Sequence, residues 1–263
     1  MIPQTTAIQR LRNSHAIVGT MVRMVRSSAL APLAREAGLD FIMLDMEHGP
    51  FSFPDVSEIA TACRAEGITI LVRVPELSRG SVSRALDCGV QGIMVPMLET
   101  AAQARQLVAW AKYPPLGGRG LGSMGGNTGF ARLGSIPQFL QDSNEATITI
   151  AQIETVLGVQ NAGEIARVDG LDALLVGPHD LAVSLGKPGQ LTCPEENDAI
   201  GRIAAAAKEA GKVFGMHCGP ELLQRWAGHG MRLFMNGLDL SVLGSGFAAL
   251  ARETRRISDE ARA

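Results

Sequence analysis

Two carboxylates close two successive strand-like runs near the middle of the chain. The run from Thr147 to Glu154 is β-branched and apolar until it meets Gln152 and Glu154, which share one face because strand side chains alternate. The run from Ala173 to Val176 breaks at Gly177-Pro178 before His179 and Asp180, and Thr155 to Val168 between the two runs has helical spacing. A strand, a crossover helix and a parallel strand is the economical reading. Both strands of such a unit end on the same side, which brings Glu154 and Asp180 to one rim. Converging carboxylates without a nearby lysine repel unless a proton or a cation separates them, and a divalent metal is the natural partner. The bland alternative, a helix cap or an arginine pair, would suffice for one acid. Two acids on neighbouring strands, with Gln152 on the inward face, favour the metal.

Three further groups fall at strand ends. Arg73 closes the apolar run ILVRV, where an inward guanidinium needs an anion: a structural ion pair with a rim carboxylate, or a substrate carboxylate or enolate oxygen held by two parallel hydrogen bonds. His48 follows Asp45 and Glu47 in LDMEHGP, so an imidazole lies just beyond a strand with an acid three residues earlier, a dyad that orients the ring for proton transfer. Glu47 reads as a loop or cap contact. His217 and Asp239 are weaker, because nothing near them supplies a partner by spacing.

The elements that position these residues alternate down the chain. Strands are expected at Ala16 to Val22, Phe41 to Asp45, Thr69 to Val74, Gly92 to Pro96, Thr147 to Ile153, Ala173 to Val176, Val213 to Met216 and Leu233 to Met235, with helices between, such as Asp55 to Ala65 and Ala101 to Lys112. Eight such units in roughly 250 residues match a (β/α)₈ TIM barrel filling one domain, residues 1–263, better than an open sheet. In a barrel the reactive side chains gather at the carboxyl ends of strands, and the polar residues named above fall there. A last helix is expected from about Gly246.

Composition removes several classes. A net charge of −2 gives no broad basic field for nucleic acid, and no apolar run approaches membrane-spanning length. The start, MIPQTTAIQRLRN, lacks the apolar core of a secretion signal, and Cys63, Cys88, Cys193 and Cys218 form no CxxC pair. A cytoplasmic protein with reduced thiols is expected. Gly120, Gly122 and Gly125 spell GxGxxG inside the long segment Pro114 to Leu133, but Pro-Pro precedes them and Gly-Asn follows, so no strand and helix frame a dinucleotide site. That segment is expected to reach a neighbouring subunit or the site rim. Lys112, Lys208 and Lys212 at helix ends and Lys187 in a loop leave no lysine at a strand end, which removes Schiff-base chemistry.

The segments LDMEHGPFSF, VRVPE, DCGVQGIMVPMLETAAQAR, KYPPLGGRGLG, IAQIET and LLVGPHDLAVSLG, in that order, resemble the HpcH/HpaI family of class II pyruvate aldolases. The resemblance implies a metal-dependent barrel enzyme that reversibly cleaves 4-hydroxy-2-oxo acids to pyruvate and an aldehyde. It implies that Glu154 and Asp180 hold a divalent ion (Mg²⁺, Mn²⁺ or Co²⁺), that Gln152 lies in the pyruvate site, and that Arg73 steadies the enolate. It further implies that His48 and Asp45 act in proton transfer, that Asp87 of LDCG reaches a neighbouring subunit's site, and that hexamers form from dimers exchanging their last helix. His179 stands where Ala or Ser is usual, at a position whose backbone amide binds the pyruvate carboxylate, so its imidazole bears on aldehyde preference. The alternatives are a relative of this fold acting on oxaloacetate, another 2-oxo dicarboxylate or a CoA ester, and a non-catalytic barrel whose rim acids form salt bridges.

Overall fold

The computed structural model describes residues 6–262. Eight strands, β1 (Ile17–Val22), β2 (Phe41–Asp45), β3 (Thr69–Arg73), β4 (Gly92–Val95), β5 (Ile148–Ile153), β6 (Ala173–Val176), β7 (Val213–His217) and β8 (Met231–Leu238), close a barrel in sequence order. Each pairs in parallel with its neighbours, and β8 pairs back onto β1. Helices α1 (Thr6–Arg12), α2 (Leu30–Glu36), α3 (Phe53–Glu66), α4 (Arg79–Asp87), α5 (Ala101–Ala111) and α6 (Ile136–Ala146) accompany the first half. The second half carries α7 (Val156–Gln160), α8 (Ala162–Ala166), α9 (Pro178–Ser184), α10 (Pro194–Glu209), α11 (Pro220–Ala227) and α12 (Asp239–Glu260). The expected (β/α)₈ barrel is the fold.

Alternation along each strand divides the apolar residues between two cores. Phe41 and Met43 of β2 point into the barrel with Leu71, Ile150 and Leu175, whereas Ile42 and Leu44 pack outward against the helices. The interior is filled by pairing bulk with absence of bulk: a Cβ at Gly19 would lie 2.6 Å from the Phe41 ring, and one at Gly92 would lie 2.6 Å from Leu71. Helix α1, which the strand-and-helix alternation does not announce, closes the amino end of the barrel with Ala7, Ile8 and Leu11. The carboxyl end is left open to solvent and polar groups.

The crossover expected as one helix from Thr155 to Val168 is two short ones, broken at Asn161, whose side chain turns away to donate to Glu99 O at 2.8 Å. β8 is longer than expected, because Arg232 and Asn236 interrupt its apolar pattern while its backbone keeps the ladder. The last helix begins at Asp239 rather than near Gly246. No helix among the described residues is long and apolar enough to cross a membrane.

Candidate active site

The inward-facing series of several strands start apolar and finish polar. Met43 is followed two residues on by Asp45, Leu71 by Arg73, Ile150 by Gln152 and Glu154, Gly215 by His217, and Met21 by Arg23 just beyond β1. Period two therefore aims all of them at the carboxyl-end mouth.

Asp45 and Arg73 are direct register partners on β2 and β3. The carboxylate is wholly buried and grips Arg73 with both oxygens, Nε to Oδ1 at 2.9 Å and Nη2 to Oδ2 at 2.7 Å. Arg23 Nε donates to Oδ2 as well, at 2.9 Å, and the backbone N–H groups of Glu47 and His48 donate to Oδ1. Burial alone would raise the Asp45 pKa, but the Arg73 bonds and charge, the His48 N–H and Arg23 hold it below the ordinary carboxylate value. Arg73 Nη1 lies 3.0 Å from Glu47 Oε2, and Nη2 also reaches Met21 Sδ at 3.8 Å. Glu47 Oε2 makes no hydrogen bond despite that distance, so the Nη1 hydrogens remain for a ligand.

Glu154 lies just past β5, and continuation of the β5–β6 register sets it beside Gly177. Its Oε1 accepts from Met97 N at 2.9 Å, and Gln152 Nε2 donates to Oε2. A side chain at Gly177 would overlap Glu154 Oε2 and come within 2.7 Å of Gln152 Nε2, so glycine is required for this close approach. Burial, opposed by the Met97 N–H and reinforced by the charges of Asp180 and Glu47, pushes the Glu154 carboxyl up to about 7. Glu47 is also raised, first by burial, against the pull of Arg73. Asp180, in the first turn of α9, is exposed, and its charge acts on both Glu154 and Glu47. Excess negative charge thus collects on the β5–β6 side of the mouth.

That donor set fits a hard divalent cation. Two carboxylates face one another electrostatically, one of them holding a proton near neutrality in the absence of a counter-charge. Gln152 Oε1 is buried with no hydrogen-bond partner among the described residues. No group of three or more His, Cys, Asp or Glu side chains among the described residues could enclose an ion. The remaining coordination positions would belong to substrate and water oxygens, as suits a catalytic site.

The His48 dyad differs from its sequence reading. Asp45 reaches the His48 backbone at 3.2 Å, not the ring, because both of its oxygens are committed to arginine. The acid beside the half-exposed ring is Glu47, Oε2 to Nε2 at 3.8 Å, the residue read as a loop contact. His217 Nε2 donates to Gly237 O at 3.1 Å, and burial with the charges of Arg73 and Arg23 lowers its pKa. Asp239 is a structural latch: its carboxylate accepts from the backbone N–H groups of Arg23, Met24, Val25 and Leu240.

Comparison with known proteins matches the chain to one family. The model of the HpcH/HpaI aldolase/citrate lyase family fits residues 24–244. The chain belongs to the HpcH/HpaI aldolase/citrate lyase family. A hydroxypyruvate/pyruvate aldolase of Delftia acidovorans is 37% identical over 222 residues, covering 84% of this chain and 81% of the relative. A 4-hydroxy-2-oxovalerate aldolase of Novosphingobium aromaticivorans is 35% identical, covering 82% of each chain. The crystal structure of an HpcH/HpaI aldolase from Desulfitobacterium hafniense superposes with a TM-score of 0.90 at 30% identity, covering 94% of this chain and 95% of that one.

Within this HpcH/HpaI barrel, Asp87 does not join the mouth. It ends α4 at the opposite end of the barrel, where its Oδ1 accepts from Arg119 Nη2 at 2.7 Å and so fixes the glycine-rich segment to α4. Lys112 lies at the end of α5 as expected, and its buried ammonium donates to Asn144 O, Thr147 O and Asp172 at the amino ends of β5 and β6, far from the mouth. His179 is exposed beside Asp180. Arg23 is the mouth residue that sequence reasoning missed. Its signal was position, two residues past Met21 on a strand expected to stop at Val22.

Proposed function

We propose that this chain is a divalent-metal-dependent aldolase that reversibly cleaves 4-hydroxy-2-oxo acids to pyruvate and an aldehyde. The observation that carries the reading is the division of charge at one barrel mouth: Glu154 and Asp180 on the β5–β6 side, and Arg73 locked by Asp45 on the β2–β3 side. Glu154 and Asp180 would hold the ion, Mg²⁺, Mn²⁺ or Co²⁺, and Gln152 would line the 2-oxo acid site. When bound, the ion supplies Lewis acidity that polarises the substrate ketone.

The chain's own residues do the rest. In cleavage, His48 takes the C4 hydroxyl proton, the C4 oxygen becomes the aldehyde carbonyl, and the electrons of the C3–C4 bond pass into the enolate of pyruvate. Arg73 Nη1 donates to the enolate oxygen, and Asp45 acts on Arg73 as a positioning residue. Return of a proton to C3 gives pyruvate. The open first turn of α9 offers the His179 N–H, which has no intrahelical acceptor, to the substrate carboxylate. The small-molecule partners are thus a 2-oxo acid and an aldehyde.

The assembly belongs to the same reading. One barrel domain spans residues 1–263 and forms a homohexamer of dimers that exchange α12. Support comes from α12 itself, in which only Asp239 is buried while Val242, Phe247 and Leu250 are exposed. Asp87 would then serve a neighbouring subunit's mouth. Four free thiols suit the cytoplasm. The test is pyruvate release from a 4-hydroxy-2-oxo acid before and after chelation with EDTA. Turnover should fall to background and return with added Mn²⁺; unchanged turnover after verified metal removal would reject the mechanism.

A further inference from the structure

We propose that Arg23 sets the specificity of the second-substrate side by binding the carboxylate of an acidic aldehyde, an inference that rests on the aldolase reading. Three contacts fix this arginine. Its backbone N–H donates to Asp239 Oδ1 at 3.0 Å, and its Nε donates to Asp45 Oδ2 at 2.9 Å. Its stem packs on Gly49, where a Cβ would lie 3.2 Å from Arg23 Cγ and 2.9 Å from Arg23 O. Glycine at 49 is what lets the loop after β2 approach so closely.

An arginine held by Nε alone keeps its end-on edge free. Neither Nη1 nor Nη2 of Arg23 makes a hydrogen bond or ion pair with a described residue. That pair of nitrogens is the edge that grips a carboxylate with two parallel hydrogen bonds. The charge of Arg23 is not otherwise answered. Asp45 is a single anion shared with Arg73, which takes both of its oxygens. The side chain is 27% exposed, so it lines the mouth without being dissolved in bulk water.

Location decides which substrate group it meets. Arg23 and Arg73 donate to the same oxygen of Asp45, so Arg23 lies one carboxylate away from the enolate-binding guanidinium, displaced toward β1 and away from Glu154 on β5. On the aldolase reading the 2-oxo acid sits by Glu154 and Asp180 on the β5–β6 side, which leaves the β1–β2 side for the aldehyde half. The group of the aldehyde half that arginine recognises is an anion, and a carboxylate matches the edge available.

The experiment compares pyruvate addition to acid and neutral aldehydes of equal carbon number, glyoxylate against acetaldehyde and succinic semialdehyde against butanal, using the metal-loaded full chain. The parent should favour the acid of at least one pair tenfold or more in kcat/KM. Arg23→Gln keeps an N–H donor for Asp45 and removes the charge; it should lower that ratio at least fivefold, chiefly through KM for the acid, and Arg23→Lys should recover part of it. A parent without acid preference, or a variant whose ratio falls less than fivefold, overturns the inference. Deuterium exchange at pyruvate C3 separates the two readings. Exchange with no acid preference sinks Arg23 alone, whereas no exchange and no addition to any aldehyde sinks the aldolase reading and this inference with it.

Discussion

At the scale of single residues, the proposed mechanism rests most heavily on Arg73, whose guanidinium is held by Asp45. Replacing Arg73 by alanine should lower kcat on the order of 10²-fold or more, the size expected for loss of a fixed donor to developing negative charge. Steady-state assay beside a circular-dichroism spectrum checks this, and a folded variant as fast as the parent would remove Arg73 from the role. The sequence makes Arg73, Gln152, Glu154 and Asp180 legible because each interrupts or ends an apolar run. It does not show which acid serves which base. Asp45 and Glu47 are two residues apart and look alike in sequence, but the cross-strand pairing of Asp45 with Arg73 gives both Asp45 oxygens to arginine and leaves Glu47 between Arg73 and the His48 ring. Register is a property of two strands and is absent from either alone.

At the scale of elements, the strands were legible almost to their ends, because a parallel barrel buries them on both faces and their apolar runs are unbroken. Helix breaks were less so: the arrest of the crossover at Asn161 depends on an acceptor 62 residues away. Helix α10 holds a feature that sequence could not flag. Glu196, in its first turn, is fully buried, neither oxygen makes a hydrogen bond among the described residues, and burial pushes its carboxyl up to about 7. The folded-state pKa lies above the ordinary 4.5, so the folded chain retains a proton that the unfolded chain gives up as pH rises. Stability from this group is full below about 4.5 and declines as pH rises toward 7, by on the order of 3 kcal/mol in all. Glu196→Gln should match the parent in urea midpoint at pH 5 and exceed it at pH 8. Equal midpoints at both values would contradict the assignment.

At the scale of the whole molecule, one barrel mouth is built by strands from both halves of the chain, while α12 leaves Val242, Phe247 and Leu250 exposed. In the proposed exchanged-helix assembly a second subunit would cover Val242, Phe247 and Leu250, which are exposed in the single chain. Phe247→Asp with Leu250→Asp should shrink the assembly seen by light scattering; a parent that is already monomeric would contradict the exchanged-helix assembly. The sequence signals this helix but starts it too late, since Asp239 reads as a weak strand-end candidate until its bonds to the Arg23, Met24 and Val25 amides are seen. Everything proposed for the mouth depends on Glu154 and Asp180 sharing one ion. Calorimetric titration of the metal-stripped protein with Mn²⁺ tests that directly: the parent should bind one ion per chain, and Glu154→Gln and Asp180→Asn should each abolish or severely weaken that binding. Undiminished Mn²⁺ binding in either variant, or none in the parent, would contradict the account.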